Sequence, residues 1–275
     1  MSTSLINLNV FSETMRAEIG LIGGTGVYDP QLLTNVEEVK IHTPYGPPSD
    51  SVMIGEIENT KLAFIPRHSK KHTIRPTDVN SRANIYALKK LGVKRILAPS
   101  AVGSLKEDFK PGDVVLVDQF IDRTTKREQS FYEGPQICHI SVDEPMCLEL
   151  REILSRILEE NAIGFHRKGT YVCIEGPRFS SKAESHLFRS WGADIIGMTL
   201  VPECVLAREA EICYASIATV TDYDVWRDHP VSVDQIVETM SKNIEKVKKI
   251  ILDTIPRIPT ERNCQCGDAL KNALI

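Results

Sequence analysis

The sequence predicts an α/β fold, a single domain in which a twisted, mostly parallel central sheet is flanked by helices. Short apolar runs recur along the chain without clean alternation of apolar and polar residues, and such runs are typical of strands buried on both faces. Stretches with helical spacing lie between these runs, which favours a sheet covered by helices on both sides. The chain of 275 residues contains no repeat or linker that would divide it, so one large domain is expected.

The predicted elements alternate along the chain. Strands are expected at the apolar runs bounded by turn residues, which are residues 19–22, 62–65, 95–98, 114–117, 170–174 and 216–220. Three helices are expected at residues 83–91, 148–158 and 182–191. The clearest helix begins at Ser232, where Gln235 completes a capping box, and ends at Pro256. Its apolar residues keep a spacing of three to four and form one stripe, namely Val233, Ile236, Val237, Met240, Ile244, Val247 and Ile251.

The composition excludes several classes of function. The chain has 33 Lys and Arg against 37 Asp and Glu, a net charge of -4, whereas sequence-independent binding of nucleic acid needs a positive surface. No apolar run approaches the ~18 residues that span a bilayer. The first residues lack the basic and apolar regions of a secretory signal. We therefore expect a cytoplasmic protein whose partners include neither nucleic acid nor a membrane.

The seven cysteines are most simply interpreted as buried thiols of a cytosolic protein. Cys264 and Cys266 are separated by one residue, and such a pair can form a strained, reducible ring. This pair alone is not expected to bind a metal, because structural zinc requires four ligands at set spacings.

Residues suited to anions follow three of the predicted strands. After the first strand comes Gly-Gly-Thr-Gly with Thr25, which is either a tight turn or an anion cradle. The dinucleotide fingerprint fails here, because Asp29 occupies its third glycine position. Arg67 follows the second strand and offers a planar fork that matches phosphate, although a solvated charge run is the alternative. Ser100 and Ala101 follow the third, and ligands of open α/β sheets collect at such strand ends.

Two histidines and two carboxylates complete the candidate set. His68 and His72 are four residues apart, but no third ligand is evident and no metal site is predicted. Asp222 and Asp224 follow the strand at 216–220 and can share one cleft, where burial and a like-charged neighbour would keep one of them protonated as an acid. The alternative is a turn in which Asp224 caps the next helix.

The ordered motifs of this chain resemble those of the methylthioadenosine phosphorylases, in the trimeric branch of the purine nucleoside phosphorylase superfamily. The motifs are GGTG, RH, SAVGSL, DQFIDRTT, IEGPRFSS, AES, WGAD, MT and TDYD, and the resemblance extends over roughly residues 19–255. It implies an N-terminal extension of residues 1–18, a phosphorylase domain of residues 19–256 and a tail of residues 257–275. It also implies a homotrimer or homohexamer with sites near the subunit contacts.

The resemblance assigns a role to individual positions. Phosphate would contact Thr25, Arg67, His68, Ser100, Ala101 and Thr199, although family members often carry Thr where this chain has Ser100. The nucleoside would contact Phe179 through its base, Met198 through its ribose, and Val233, Ile236 and a neighbouring subunit's His139 through its 5′ substituent. Asp222 and Asp224 would face N7 and the 6-amino group of the purine. By analogy with archaeal relatives, disulfides are expected between Cys264 and Cys266 and between Cys138 and Cys204.

The implied activity is phosphorolysis of methylthioadenosine in purine and methionine salvage, with phosphate as co-substrate and no metal or organic cofactor. Asp222 favours adenine, because relatives that prefer 6-oxopurines carry Asn at this position. Three rivals stay open: a broad-specificity purine nucleoside phosphorylase, a phosphate-independent hydrolase and a non-catalytic nucleoside-binding protein.

Overall fold

The computed structural model describes residues 15–24, 33–227 and 233–275, with only the backbone of residues 233–237. The described residues contain eleven strands in one sheet and five α-helices. The strands are β1 (Ile19–Gly23), β2 (Thr34–Val39), β3 (Val52–Ile57), β4 (Thr60–Pro66), β5 (Arg95–Ser104), β6 (Val114–Leu116), β7 (Gln119–Arg123), β8 (Phe165–His166), β9 (Thr170–Ile174), β10 (Ile195–Gly197) and β11 (Cys213–Asp222). The helices are α1 (Ser81–Lys90), α2 (Leu148–Glu160), α3 (Lys182–Ser190), α4 (Glu203–Glu209) and α5 (Val233–Thr254).

The predicted α/β class is confirmed, and every predicted strand and helix is present. The sheet order is β2-β3-β4-β1-β5-β10-β9-β7, with β11 paired to β5 and β6, and β8 paired to β6. Most pairs in its centre are parallel, but β10 is antiparallel to β5 and β6 is antiparallel to β11; β2, β3 and β4 form an antiparallel edge. The sequence did not predict β2, because its residues are polar and exposed and lack an apolar run. The predicted capping box at Ser232 lies outside the described residues.

The core lies on both faces of the central strands. All five residues of β1 are buried, as are the first nine of β11, which confirms that these runs are covered on both sides. One large apolar cluster lies under α1 and α4, and a second packs α2 and α5 against the other face. None of the described helices is long and apolar enough to cross a membrane.

The predicted disulfides are wrong in this structure, where all seven cysteines are free thiols. Burial, and to a smaller extent the neighbouring Glu209 carboxylate, raises the pKa of the Cys138 thiol to about 11. Cys204 is fully buried in α4 beside Cys173. Cys264 and Cys266 do not bond to each other either, and the sulfur of Cys264 lies 3.3 Å from that of Cys213.

Candidate active site

A cavity of about 550 Å³ lies at the carboxyl edge of the parallel strands. Its wall includes the residues that follow β1, β4, β9 and β10, the second halves of β5 and β11, and one side of α5. Cavities of this size bind small molecules, and this edge of an α/β sheet is where ligands collect. The position therefore matches the prediction that the strand ends form one site.

The cavity brings together most of the predicted site residues. Those that line it are Arg67, His68, Ser100, Ala101, Phe179, Met198, Thr199, Asp222 and Asp224. His139 does not line it: this exposed residue lies beside the C-terminal tail, where its backbone N–H donates to the Ala273 carbonyl at 2.7 Å. Thr25 lies outside the described residues, and the side chains of Val233 and Ile236 are likewise not described. Further along α5, Met240, Ile244 and Val247 supply an apolar wall.

Arg67 is held by a carboxylate that the sequence did not reveal. Its Nε and Nη2 donate to the two oxygens of Glu203, each at 2.9 Å, and the Tyr214 hydroxyl donates to the same carboxylate at 2.7 Å. The backbone carbonyls of Pro99 and Ile22 accept from Nη1 and Nη2. Glu203 is the first residue of α4, far from Arg67 in sequence, so no local pattern signals the pair.

This arrangement limits what Arg67 can offer an anion. Its fork is directed at Glu203, and only one N–H, on Nη1, has no partner among the described residues. The guanidinium is 2% exposed, and the Glu203 carboxylate neutralises its charge. Burial by itself would lower the pKa of Arg67, but Glu203 raises it above its usual value, so the side chain stays charged. Arg67 can thus offer an anion one hydrogen bond and a paired charge rather than a free bidentate fork.

Neutral groups near Arg67 provide additional hydrogen-bonding capacity. The Ser100 hydroxyl is buried at the cavity and has no hydrogen-bond partner among the described residues. A buried polar group without a partner costs about 1–3 kcal/mol, so a ligand that bonds to it gains that much back. Thr219 is also in the wall, but its hydroxyl already donates to the Ser100 carbonyl at 3.3 Å.

His68 is a neutral hydrogen-bond acceptor at the cavity. Its Nδ1 lies 2.9 Å from the Ile74 carbonyl, which requires a proton on Nδ1. Burial, followed by the Arg67 charge, lowers the pKa of His68 to about 4, so the ring carries no second proton at neutral pH. The Nε2 lone pair is therefore an acceptor, and it can bind a ligand O–H but not an unprotonated oxygen.

A β-bulge aims the two aspartates. Along the β5–β11 ladder, Val220 faces Val102 and Asp222 faces Gly103, so Thr221 is the extra residue and the register shifts there. Asp222 accepts from the Thr221 hydroxyl and from the Asp224 backbone N–H, both at 2.7 Å. Asp224, which also lines the cavity, has φ 49°, a left-handed backbone conformation. Such bulges often re-aim a side chain next to a functional site.

Gly103 leaves the space that the aspartates occupy. A methyl group on Gly103 would lie 3.1 Å from the Asp222 Oδ1 and 3.3 Å from the Asp224 Cβ. Position 103 therefore has little room for any side chain while the carboxylates keep their places.

Both aspartates have a raised pKa. Burial is the main cause for each; hydrogen bonds from Thr221 and from the Asp224 backbone oppose it at Asp222. At Asp224 the nearby Ser185 hydroxyl and the Val225 N–H oppose it, while the charge of Asp222 adds to it. Within the described part of the chain, the Asp224 Oδ2 has no hydrogen-bond partner, although it is buried. One carboxyl oxygen of the pair is thus available to a ligand, and the raised pKa values favour a proton on one of the two carboxyl groups.

Met198 and Phe179 both line the cavity. Gly176 has φ 70°, and a Cβ there would lie 2.5 Å from the Met198 sulfur, so glycine is needed for this contact. Phe179 is 60% exposed and stands at the mouth, where its ring is free to stack on a ligand. Both belong to the set of site residues that the sequence predicted.

Arg127 fixes the loops that carry these residues, and the sequence did not single it out. Its Nη1 donates to the carbonyls of Met198 and Val201 at 2.8 and 2.6 Å. Its Nε donates to the Glu175 carboxylate at 3.0 Å. Burial would raise the pKa of Glu175, but hydrogen bonds from the Thr125 backbone, Thr77 and Arg127 lower it to about 2. The available signal was its position, two residues after the motif DQFIDRTT.

The chain is similar to known proteins over nearly its full length. A model of the phosphorylase superfamily matches residues 18–256. The S-methyl-5′-thioadenosine phosphorylase of Thermofilum pendens is 59% identical over 260 residues, which are 94% of this chain and 99% of that protein. The protein of the same name from Pyrococcus abyssi is 55% identical over 258 residues, again 94% of this chain and 99% of the relative.

Solved structures are similar over the same length. A methylthioadenosine phosphorylase from an Antarctic soil metagenomic library has a TM-score of 0.91 at 45% identity, covering 94% of this chain and 93% of that one. A variant of the adenosine/methylthioadenosine phosphorylase of Schistosoma mansoni, solved with methylthioadenosine, has a TM-score of 0.86 at 39% identity, covering 93% and 96%.

Proposed function

The chain belongs to the phosphorylase superfamily and, within it, to the S-methyl-5′-thioadenosine phosphorylases, and we infer that it cleaves methylthioadenosine with inorganic phosphate. The products are adenine and 5-methylthioribose 1-phosphate, which makes the protein a pentosyltransferase. One observation carries the assignment: a single cavity joins an anion-binding end, with the unpartnered Ser100 hydroxyl, to a buried pair of carboxyl groups with a raised pKa.

Phosphate is proposed to bind beside Arg67, His68, Ser100 and Ala101, with Thr25 and Thr199 completing the contacts. The free N–H of Arg67 and the Ser100 hydroxyl donate to its oxygens. At neutral pH phosphate keeps one O–H, and the Nε2 of His68 is the acceptor that suits it. The neutral histidine therefore orients phosphate with its unprotonated oxygens turned towards the sugar.

The reaction displaces the base at the ribose C1′. The C1′–N9 bond breaks with its electron pair moving to the purine, and a phosphate oxygen forms the new bond to C1′. A proton from the aspartate pair reaches N7, so adenine leaves neutral, and the proton of the incoming phosphate balances the one that adenine gains. Acid catalysis of this kind contributes roughly 10²–10⁴-fold, and holding phosphate against the sugar contributes up to ~7–11 kcal/mol.

The base is proposed to lie between Phe179 and the aspartates. Asp222 already accepts two hydrogen bonds from the protein, whereas the Asp224 Oδ2 is open and can accept from the 6-amino group of adenine. A 6-oxo purine presents an acceptor at that position, so an ionised Asp224 would face it without a hydrogen bond. Sites that depend on one buried hydrogen bond can discriminate by ~10⁴ or more.

The methylthio group is proposed to lie against α5, where Met240, Ile244 and Val247 form an apolar wall, with Val233 and Ile236 nearer the start of the helix. His139 is proposed to complete this end from a second copy in a homotrimer or homohexamer. The proposal includes a cytoplasmic location, in keeping with the free thiols, a role in purine and methionine salvage, and chemistry without a cofactor.

The test is adenine release from methylthioadenosine with and without phosphate, run beside adenosine and inosine. We expect phosphate-dependent release from methylthioadenosine and little from inosine. Comparable rates on inosine would make the protein a broad-specificity purine nucleoside phosphorylase. Release that is independent of phosphate would contradict phosphorolysis, and the roles of Ser100 and His68 would fall with it.

A further inference from the structure

Four cysteines from three separate parts of the sequence come together in the apolar cluster that packs α2 and α5 against the sheet. The sulfurs of Cys147, Cys213, Cys264 and Cys266 all lie within 4.8 Å of one another. Cys147, Cys213 and Cys266 are buried and Cys264 is partly buried. The proposed phosphorolysis uses none of them, since none lines the cavity.

The backbone around each sulfur is fixed by hydrogen bonds. Cys147 caps α2, and its N–H donates to the Tyr214 carbonyl at 2.8 Å. Cys213 begins β11, and its N–H donates to the Lys94 carbonyl at 2.9 Å. Because both residues stand at the ends of regular elements, one half of the cluster is set by the core of the fold.

The other two cysteines stand on the C-terminal tail, which is tied down immediately before them. Arg95, a fully buried residue, donates from Nη2 to the Glu261 carbonyl at 2.8 Å. Arg262 donates from Nη1 to the Glu211 carbonyl at 2.8 Å. Cys264 then precedes a short 3₁₀-helix, Gln265–Asp268, which includes Cys266. The tail thus presents both thiols to the same point beside α2 and β11.

The size of the cluster fits a tetrahedral metal centre. Zinc binds thiolates at ~2.3 Å, which places the four sulfurs of a regular tetrahedron about 3.8 Å apart. In this structure Cys213 and Cys264 are 3.3 Å apart and no pair exceeds 4.8 Å, so small side-chain movements reach that geometry. The Arg208 guanidinium lies 3.8 Å from the Cys266 sulfur, where its charge would offset part of the negative charge of a zinc tetrathiolate.

We propose that Cys147, Cys213, Cys264 and Cys266 form a structural zinc site, with four thiolate ligands and no open position for a substrate. Four protein ligands close the coordination sphere, which is the mark of a structural rather than a catalytic zinc. Binding requires the four thiols to lose their protons, so uptake releases protons and strengthens as the pH rises. No oxidation or reduction is involved.

The site would clamp the tail onto the body of the protein. Beyond Cys266 the tail packs against residues 137–139. Cys138 and Leu274 form an isolated β-bridge, and Ile137 and Ile275 exchange two backbone hydrogen bonds. The metal therefore holds the same tail that positions His139. Since zinc binds the folded chain and not a preformed site in the unfolded one, its binding free energy adds to stability.

The test measures metal in the full-length protein purified with reductant, by elemental mass spectrometry and by zinc release on titration of the thiols with an organomercurial. We expect one zinc per chain. Exchange for Co²⁺ should produce the strong thiolate charge-transfer and visible bands of a tetrahedral sulfur site. Cys264→Ser should lose at least nine-tenths of the zinc, whereas the control Cys138→Ser, at another partly buried cysteine outside the cluster, should keep it.

Other results would overturn the proposal. One is wild-type protein that takes up no zinc when it is dialysed against zinc, and another is protein that contains iron instead of zinc. A third is a disulfide within the cluster in protein purified with reductant, detected by mass spectrometry of unreduced peptides. If Cys264→Ser does not fold, zinc release from the wild type and its Co²⁺ spectrum decide the matter. None of these readouts depends on phosphorolysis, so the proposed function and the zinc site can fail separately.

Discussion

Replacement of Glu203 by Gln tests how the structure holds Arg67. Glu203 accepts from Arg67 through both carboxylate oxygens, and the guanidinium is 2% exposed. Glu203→Gln keeps the shape of the side chain but removes its charge, and one of its two acceptors becomes an N–H donor that faces the Arg67 donors. Breaking a buried ion pair in this way costs about 3–5 kcal/mol.

The assay is thermal unfolding with and without phosphate. In a large domain, a decrease of 1 kcal/mol in the free energy of unfolding lowers the Tm by about 2–4 °C. Glu203→Gln should therefore lower the Tm by roughly 6–20 °C in phosphate-free buffer. Phosphate should restore part of the loss, because it would compensate the uncovered guanidinium charge. We expect the stabilisation by phosphate to be larger in the variant than in the wild type.

Glu209 provides the matched control. It is a buried glutamate of the same helix, but its carboxylate has only neutral partners among the described residues: it accepts from the Ser130 hydroxyl and the Phe131 N–H, at 2.9 and 2.8 Å, and interacts with the Cys138 thiol. Glu209→Gln removes hydrogen bonds to neutral donors, which are worth about 1 kcal/mol, and its loss should not depend on phosphate. If both variants lose the same stability, or if phosphate stabilises both equally, the buried ion pair with Arg67 is not what the fold relies on.

Three further predictions concern the cavity and its supports. Gly103→Ala should reduce kcat/KM for methylthioadenosine by about 10–100-fold, because its Cβ would lie 3.1 Å from the Asp222 Oδ1 and small displacements of a catalytic group are costly. Ser100→Ala should raise the KM for phosphate about tenfold without loss of Tm, because this buried hydroxyl has no hydrogen-bond partner among the described residues. Glu175→Gln should flatten the acid limb of a stability–pH curve: the lowered pKa of Glu175 gives stability that is complete above its ordinary value of 4.5 and is lost as the pH falls towards about 2.

Each of these predictions has a result that contradicts it. For Gly103→Ala, the comparison is Gly164→Ala, whose added methyl would make an ordinary contact with Asp113 at 3.4 Å; equal activity in the two variants would show that Gly103 does not set the aspartates. A Ser100→Ala protein with unchanged KM for phosphate would remove Ser100 from the anion site. An unchanged acid limb in Glu175→Gln would mean that other carboxylates govern stability at low pH.

The sequence by itself predicted the parts of this protein that depend on local patterns. Buried strands appear as short apolar runs, and the long helix as an apolar stripe, because each pattern follows from the period of its backbone. The positions of Arg67, Ser100 and Asp222 were also predictable, since residues at the carboxyl ends of neighbouring parallel strands meet at one edge. The exposed edge strand β2 was not, because its polar residues carry no such period.

Only the tertiary structure decided the partners of these residues. Glu203 lies 136 positions from Arg67, and nothing in its sequence neighbourhood indicates that it would neutralise the arginine. Burial keeps His68 neutral, and the Ile74 carbonyl fixes the tautomer that leaves Nε2 as an acceptor. The Cys264 and Cys266 pair led to the expectation of a disulfide, but folding brings Cys147 and Cys213 to the same point. Hydrogen bonds, charges and metal ligands act over a few ångströms in space, and distance along the chain does not determine which groups come that close.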